Sequence, residues 1–188
     1  MKNSVPIKDA WQHCPRCGRP AETKGEQPFE CDVCGYFHYF SPCTAVAALI
    51  VDESGKMLFI VRGKDPGRGK LGLPGGFVDP DESAELALQR EVMEELQLSA
   101  GAVEYLASFP NQYAYCGVII PVTDLFFVVE VHNFDGMSAQ PGEVDGWTFL
   151  PVESVSAESL AFDTHQRALQ QYRRWTGLVD GTESNGVE

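Results

Sequence analysis

The sequence has no long hydrophobic run. Its longest apolar stretches, residues 44–51 and 125–131, have the length of a β-strand, whereas a membrane-spanning helix needs about 20 apolar residues. The first six residues, Met-Lys-Asn-Ser-Val-Pro, contain no apolar segment of the kind that a secretory signal carries. We therefore expect a cytoplasmic protein that has no membrane partner.

Basic residues are also scarce. The chain has 14 Lys and Arg residues against 27 Asp and Glu residues, which gives a formal net charge of −13. Proteins that bind nucleic acids usually carry the opposite sign, because their basic side chains displace counterions from the phosphate backbone. We therefore expect no nucleic-acid partner. A small phosphorylated substrate is still compatible with this charge, because a divalent cation can supply the missing positive charge.

The length of 188 residues and the hydrophobic fraction of 44% suit one catalytic domain and a small appended module. We expect a leader over 1–10, a cysteine-rich module over 11–41, the main domain over 42–178 and a flexible tail over 179–188. The main domain alternates strand patterns with helical ones, which favours an α/β sandwich with a mixed sheet. The predicted elements are a hairpin of strands 44–51 and 56–61, strands 103–109, 125–131 and 147–150, and helices 84–96 and 165–175. We expect Ser83 to cap the first helix and Asp163 or Thr164 to cap the second.

Four of the six cysteines form two CxxC pairs separated by thirteen residues, namely Cys14, Cys17, Cys31 and Cys34. Zn²⁺ prefers four ligands in a tetrahedron, and each CxxC turn directs two sulfurs toward one point. Gly18 and Gly35 follow the pairs and let the backbone turn back toward the sulfurs. The pattern predicts a structural zinc site. Two disulfides or free thiols are the alternatives, and a cytoplasmic location disfavours the disulfides.

Three glutamates share one side of the predicted helix 84–96. At about 100° per residue, Glu91, Glu94 and Glu95 lie within about 100° of one another, and we expect them to face outward. The opposite side carries apolar residues that we expect to be buried, namely Leu86, Val92, Met93 and Leu96. A solvated acidic face is the ordinary interpretation of such a pattern. Here, however, a glycine loop at 73–76 precedes the helix and offers backbone oxygens to a hard cation such as Mg²⁺.

The stretch 76–98 resembles the Nudix box. It has a glycine, five residues, a glutamate, seven residues and then Arg-Glu-Val-Met-Glu-Glu-Leu-Gln-Leu. The one departure is Gln97, where the family usually has glycine. Either Gln97 adopts a left-handed conformation at the helix end, at some cost, or the turn there is built differently. The resemblance covers residues 42–176 and implies a Nudix α/β/α sandwich with a mixed sheet, preceded by a small zinc ribbon.

The resemblance also implies roles for individual residues. It implies that Mg²⁺ or Mn²⁺ is bound by the carbonyl of Gly75 and by the three glutamates Glu91, Glu94 and Glu95. It implies that Glu82 and Arg90 orient this cluster, and that Gly76 lies against the substrate. The implied reaction is hydrolysis of a pyrophosphate bond by water, with a nucleoside monophosphate as one product.

A late glutamate of the family accepts a proton from water or binds a further cation. Glu143 is its best match here and Asp145 is the reserve, although an ordinary loop carboxylate is an equally good interpretation of Glu143. Because this reaction needs no covalent intermediate, Cys43 and Cys116 are not required as nucleophiles. We expect both to be buried thiols.

The substrate is less closely indicated than the reaction. A zinc ribbon ahead of a Nudix domain is similar to the layout of the NADH pyrophosphatases, but their signature after the box is only partly present in residues 108–115. Phe109, Tyr113 and Tyr115 either stack on an adenine base or pack in the core. Arg62 either meets substrate phosphates or is solvated. ADP-ribose and NAD(H) are the expected substrates, a catalytically weak nucleotide sensor is the alternative, and a homodimer is compatible with the resemblance.

Overall fold

The structure is a computed structural model that describes residues 4–21 and 25–178. The predicted tail 179–188 and the first three residues of the predicted leader lie outside the described residues. The strands are β1 (Val5–Pro6), β2 (Phe29–Glu30), β3 (Phe37–His38), β4 (Cys43–Ile50), β5 (Met57–Arg62), β6 (Leu71–Gly72), β7 (Val103–Tyr115), β8 (Val118–Val129) and β9 (Val144–Leu150). The helices are α1 (Ile7–Ala10), α2 (Ala84–Leu96) and α3 (Asp163–Trp175).

The chain divides into two units. The first comprises residues 1–43 and 110–123, and the second comprises 44–109 and 124–188. In the first unit β2 pairs with β3 in antiparallel orientation, and a small core surrounds the cysteine pairs. Residues 5–10, which the sequence assigns to a leader, form β1 and α1, and β1 pairs with Val118 and Ile119 of β8. The predicted domain boundaries stay predictions.

The second unit is the predicted α/β/α sandwich. Alternate residues of β4 contribute to two separate cores: Val46 and Ala48 lie in the core that α2 covers, and Ala47 and Leu49 in the core that α3 covers. The strand β5 alternates in the same way. Because successive side chains of a strand point to opposite faces, these strands form a central layer that is buried on both sides by helices. This burial explains why β4 and β5 are apolar over most of their lengths.

The strands β4 and β5 do not form the full hairpin that the sequence predicts. They pair once, between Val51 and Met57, and then diverge, with β4 beside β8 and β5 beside β9. The reason is the segment 71–78, here called the glycine segment. Its β6 pairs with β5, and the carbonyls of Pro74 and Gly76 accept hydrogen bonds from β4. The glycine segment therefore lies between the two strands.

Two predicted elements are longer than expected, and one predicted cap is wrong. β7 and β8 extend to a two-residue turn at Cys116 and Gly117, whose φ angles of 49° and 82° suit a tight hairpin. Both Cys116 and Cys43 are exposed, so the prediction that they are buried is wrong. The N-cap of α3 is Phe162 rather than Asp163 or Thr164, because the hydroxyl of Thr164 donates to the Asp124 carboxylate instead.

The helix α2 begins and ends as the sequence predicts. The Ser83 hydroxyl accepts a hydrogen bond from the backbone N–H of Leu86, which caps the first turn. Gln97 has φ 57° and ψ 31°, so it adopts the left-handed conformation that glycine usually provides. Its backbone N–H and its side-chain amide both donate to the Met93 carbonyl. These two bonds support a residue that lacks the freedom of glycine at this position.

The buried side of α2 differs from the prediction. Leu86 and Met93 are 57% and 41% exposed, although the helical pattern places them in the core. The buried residues are Ala87, Leu88, Val92, Glu95 and Leu96. Glu95, predicted to face outward, is only 5% exposed.

Among the described residues, no helix is both long and apolar enough to span a membrane.

Candidate active site

Arg90 is the charged centre of the α2 carboxylate cluster. Its Nε and Nη2 atoms donate to the two Glu82 carboxylate oxygens at 3.2 and 2.7 Å, which is the paired geometry that a guanidinium favours with a carboxylate. The hydrogen bonds from Arg90 hold the pKa of Glu82 below its usual range. Nη2 also donates to the Phe77 carbonyl at 3.0 Å. Arg90 thus ties the start of the Nudix-box motif to the middle of α2.

Two predicted metal ligands also contact Arg90. Its Nη1 atom lies 2.8 Å from a Glu91 carboxylate oxygen and 3.2 Å from one of Glu94. The Glu91 side chain is 14% exposed and that of Glu94 is 49% exposed. Burial raises the pKa of Glu91, against the effect of Arg90. A Cβ atom at Gly76 would collide with the Glu91 carboxylate, so this acid lies directly against the backbone of the glycine.

Glu95 is the buried acid of the site. Its Oε2 atom accepts a hydrogen bond of 2.9 Å from the backbone N–H of Gly75. Burial raises the pKa of Glu95 to about 8, although this hydrogen bond acts in the opposite direction. The negative charge of Glu91 contributes to this rise in the pKa. A positive ion beside Glu95 would restore its charged form, which is the electrostatic environment expected of a metal ligand.

The backbone of the glycine segment is fixed on its β4 side. The carbonyls of Pro74 and Gly76 each accept a hydrogen bond of 2.8 Å, from Ala48 and Val46 respectively. Gly75 has φ 146°, and a Cβ atom there would collide with the backbone of β4. Within the described part of the chain, no hydrogen bond to the Gly75 carbonyl is found. That oxygen is thus compatible with the role of a cation ligand.

Glu143 lies within electrostatic range of the cluster, because its charge raises the pKa of both Glu91 and Glu95. Its carboxylate forms an ion pair of 2.7 Å with Lys64, and its carbonyl accepts from Gly63 at 2.7 Å. The structure therefore brings Glu143 close to the α2 carboxylates, together with a cation that the sequence analysis did not assign to it.

Arg62 is held at the edge of the same site. Its Nε atom donates to the Pro66 carbonyl at 2.8 Å, and its guanidinium carbon lies 5.0 Å from the centre of the Phe162 ring. Its positive charge lowers the pKa of Glu95. No hydrogen bond from its Nη atoms to the described residues is found. These two nitrogens can therefore donate to a phosphate beside the cluster.

The three predicted stacking aromatics belong to two different units of the chain. Phe109 packs against the core ring of Phe126 at 5.9 Å, with the Arg167 guanidinium 4.1 Å from its centre. Tyr113 and Tyr115 belong to the first unit, where their ring centres are 6.5 Å apart. The packing of Phe109 agrees with the alternative that it is a core residue.

The cysteine pairs form a compact group of four sulfurs. All four sulfur atoms lie within 4.8 Å of one another, and the distances Cys14–Cys34 and Cys17–Cys31 are 3.7 and 3.8 Å. Four sulfurs at the usual Zn–S length of about 2.3 Å would form a tetrahedron with edges of about 3.8 Å. Backbone N–H groups of the first pair lower the pKa of Cys14 to about 7, although burial opposes this. The group is thus compatible with a four-coordinate zinc ion.

The carboxylates of α2 are less tightly gathered than the cysteines. Among the described residues, only the cysteine group brings three or more such ligand atoms within 4.8 Å of one another. Glu91 and Glu94 form ion pairs with Arg90, whereas Glu95 accepts a hydrogen bond from the backbone N–H of Gly75. A cation shared by these acids would therefore have to compete with Arg90 for two of them.

The sequence analysis missed His165. Its Nδ1 atom accepts a hydrogen bond of 3.3 Å from the backbone N–H of Leu73, which opens the glycine loop. Burial lowers the pKa of His165 to about 3, so the imidazole is neutral. The two residues are 92 positions apart, and no local pattern could have connected them. The only signal in the sequence was a histidine in the first turn of an amphipathic helix.

Comparison with known proteins indicates the family to which the chain belongs. A model of the NUDIX domain family matches residues 41–174. The chain is 32% identical over 146 residues to an ADP-ribose pyrophosphatase of Methanocaldococcus jannaschii, covering 77% of this chain and 80% of that protein. It is 27% identical over 168 residues to the NAD-capped RNA hydrolase NudC of Deinococcus radiodurans, covering 88% of this chain and 58% of that protein.

Solved structures agree with this assignment. A MutT NUDIX hydrolase from Burkholderia pseudomallei is 27% identical, with a TM-score of 0.59 over 70% of this chain and 98% of that one. The NUDIX domain of Shewanella oneidensis NrtR, solved in complex with ADP ribose, is 25% identical, with a TM-score of 0.59 over 72% of this chain and 89% of that one. The chain therefore belongs to the Nudix family and is a Nudix pyrophosphohydrolase.

Proposed function

We propose that the chain hydrolyses the pyrophosphate bond of ADP-ribose, NAD(H) or a related dinucleotide, with Mg²⁺ or Mn²⁺ as cofactor. The observation that carries this proposal is the buried carboxylate of Glu95, held against the N–H of Gly75 beside a second half-buried acid, Glu91. An acid in such a place is costly to the fold when charged. A cation-dependent reaction gives a reason for keeping it there.

The proposed cation ligands are the Gly75 carbonyl and the carboxylates of Glu91, Glu94 and Glu95. These are the oxygen donors that Mg²⁺ and Mn²⁺ prefer. When bound, the cation would neutralise the pyrophosphate oxygens and make water more acidic. Arg90, held by Glu82, keeps the acids oriented and balances their charge while no cation is bound. The lack of a side chain at Gly76 lets the Glu91 carboxylate approach the backbone, and Gly76 stays a proposed substrate contact.

Side chains of the protein would accept the proton of the attacking water and bind the phosphate. We assign proton transfer from the attacking water to Glu143, whose carboxylate is partly exposed and near the cluster. The ion pair with Lys64 holds that carboxylate in place. The free Nη atoms of Arg62 would bind a phosphate oxygen and orient the bond to be cut. Water then attacks phosphorus, the anhydride bond breaks, and two phosphomonoesters leave.

The substrate class is proposed from the relatives. One is named an ADP-ribose pyrophosphatase, others are named NAD-capped RNA hydrolases, and one Nudix domain was solved with ADP ribose. All of these compounds contain adenosine joined through a pyrophosphate to ribose. Tyr113 and Tyr115 stay proposed contacts for the base, whereas for Phe109 the packing against Phe126 favours a structural role.

We further propose that the four cysteines hold a structural Zn²⁺, on the basis of the short distances between their sulfur atoms. The acidic composition favours a small nucleotide over a nucleic acid as partner. The homodimer and the cytoplasmic location stay predictions.

A substrate panel tests the proposal. The protein is assayed with Mg²⁺ and with Mn²⁺ against ADP-ribose, NADH, NAD⁺, NAD-capped RNA and nucleoside triphosphates, and products are separated by chromatography. AMP from ADP-ribose or NADH supports the proposal, and the Glu95→Gln variant controls for contaminating enzymes. Cleavage of the capped RNA alone would overturn the prediction of a small substrate. Tight binding of one compound without turnover would favour the nucleotide sensor.

A further inference from the structure

The chain just before α3 runs beside the start of the glycine segment. Leu160 and Leu71 form a parallel bridge, and the N–H of Ala161 donates to the Leu71 carbonyl at 2.9 Å. Lys70 adds a bond of 3.3 Å from its amine to the Leu160 carbonyl. This contact holds residues 70–71 from the side opposite to α2, at a point remote in sequence.

His165 makes the last contact in this series and the one nearest to the carboxylates. Its Nδ1 atom accepts from the N–H of Leu73 at 3.3 Å. The imidazole is 7% exposed and stands edge-on to Phe126 and Phe162, with ring centres 5.8 and 5.3 Å away. These rings fix the plane of the imidazole and thereby the direction of its Nδ1 lone pair. Because the imidazole is neutral, that lone pair is available.

Only one residue, Pro74, separates Leu73 from Gly75, a proposed cation ligand. Leu73 is 3% exposed, so without His165 its N–H would be buried and without a partner. Pro74 follows, with a fixed φ angle and no N–H of its own. Gly75 comes next and donates to the Glu95 carboxylate at 2.9 Å. A shift of the Leu73 amide would therefore pass through the rigid proline to the Gly75 N–H and carbonyl.

We propose that His165 is a positioning residue for the cation site: its neutral imidazole fixes the Leu73 amide and so sets the place of Gly75 against Glu95. The proposal rests on the proposed function, because it takes Gly75 and Glu95 as cation ligands. It assigns a role to α3 that the Nudix-box motif does not contain. Outer groups that orient metal ligands typically change metal affinity by about 10-fold to 100-fold.

The matched control for this role is Thr164. It is also buried, at 3% exposure, and its hydroxyl donates to the Asp124 carboxylate at 2.6 Å. The neighbouring residues Thr164 and His165 thus each anchor the first turn of α3 by one hydrogen bond, but the bond of His165 is to the glycine segment and that of Thr164 is to Asp124. Thr164→Val removes a hydrogen bond of α3 without touching Leu73. This variant therefore shows how loosening α3 alone changes cation binding.

The experiment measures Mn²⁺ binding to the full chain by electron paramagnetic resonance, together with the Mg²⁺ concentration that gives half-maximal turnover. His165→Leu removes the acceptor, and His165→Asn keeps one close to the place of Nδ1. We expect about 10-fold weaker Mn²⁺ binding and a similar rise in the Mg²⁺ requirement for His165→Leu. We expect recovery of most of this loss in His165→Asn, and wild-type values in Thr164→Val. The nucleotide KM at saturating Mg²⁺ should be unchanged.

Two results would overturn the proposal. One is unchanged Mn²⁺ binding in His165→Leu, and the other is an equal loss in His165→Leu and Thr164→Val. Should His165→Leu not fold, His165→Phe fills the same aromatic surroundings and also lacks an acceptor. Glu95→Gln separates this outcome from failure of the proposed function: if that variant binds Mn²⁺ as the wild type does, the cation site itself is wrongly assigned.

Discussion

Replacing Glu95 by glutamine should stabilise the metal-free protein while abolishing its turnover. Glutamine has nearly the same shape and keeps an oxygen that can accept from Gly75, but it carries no charge. Burial raises the pKa of Glu95 from 4.5 to about 8. In the unfolded chain the carboxyl ionises above pH 4.5, so folding at neutral pH requires this group to take up a proton or to bury a charge.

The magnitude follows from the pKa shift. A carboxyl whose pKa is raised on folding contributes stability that is fully present below pH 4.5 and is lost as pH rises through about 8. Each pH unit in this window costs about 1.4 kcal/mol. The free energy of unfolding of Glu95→Gln should therefore exceed that of the wild type by about 1 kcal/mol at pH 5.5 and about 3 kcal/mol at pH 7.

Urea unfolding at several pH values measures this difference. The protein is desalted into buffer without Mg²⁺ or Mn²⁺ rather than treated with a strong chelator, which would also remove zinc from the cysteines. The control is Glu94→Gln, because Glu94 lies on the same helix but is half exposed, and its effect should stay within about 0.5 kcal/mol. A Glu95→Gln protein that is less stable than the wild type at pH 7, or a difference independent of pH, would refute the reasoning.

Three further predictions concern other parts of the molecule. Between pH 6.5 and about 3 the wild type should lose stability faster than His165→Asn, by up to about 1.4 kcal/mol per pH unit, because the buried imidazole of pKa about 3 takes up a proton only on unfolding; urea midpoints at pH 4.5 and 6.5 measure this. Cys17→Ser should reduce bound zinc, measured with a colorimetric chelator, and speed proteolysis of residues 11–41, whereas unchanged zinc content would contradict the site. Glu143→Gln should lower kcat by about 100-fold or more with Mn²⁺ binding retained, and an unchanged kcat would remove Glu143 as the proton acceptor.

Local sequence predicted the ends of α2 correctly, because both ends depend on groups within a few residues. The Ser83 hydroxyl reaches the N–H of Leu86, and the bonds of Gln97 reach back to Met93. The glycine loop that precedes this helix also lies against it, because a Cβ atom at Gly76 would meet the Glu91 carboxylate. These features require only a helix and the loop before it.

The buried side of α2 could not be predicted in the same way. The helical pattern placed the buried arc at about 100° to 220° from Glu91, whereas the buried residues span about −40° to 140°. Ala87 and Leu88 mark the true arc, and Glu95 lies near its centre. A periodicity argument assigns charged residues to solvent, so it fails where a carboxylate is buried for function. The same error placed Leu86 and Met93 in the core, although both are exposed.

Contacts between distant parts of the chain were missed altogether. His165 and Leu73, and likewise Thr164 and Asp124, meet only because α3 packs against the central layer. The prediction of a full hairpin from strands 44–51 and 56–61 failed for a related reason. Both strands are apolar enough to pair, and nothing in their own residues shows that another segment will separate them.

The separation of β4 and β5 has a consequence for how the enzyme can vary. The glycine segment enters along β5, where Leu71 and Gly72 pair with Val61 and Ile60, and it leaves along β4 at Pro74 and Gly76. The beginning of the glycine segment is thus fixed by β5, and its later part is fixed by β4. One inserted residue between these contacts would shift one register against the other and exchange the faces of its side chains. Changes in length should therefore accumulate in the loop at 63–70, while the few residues that step between the strands keep their number.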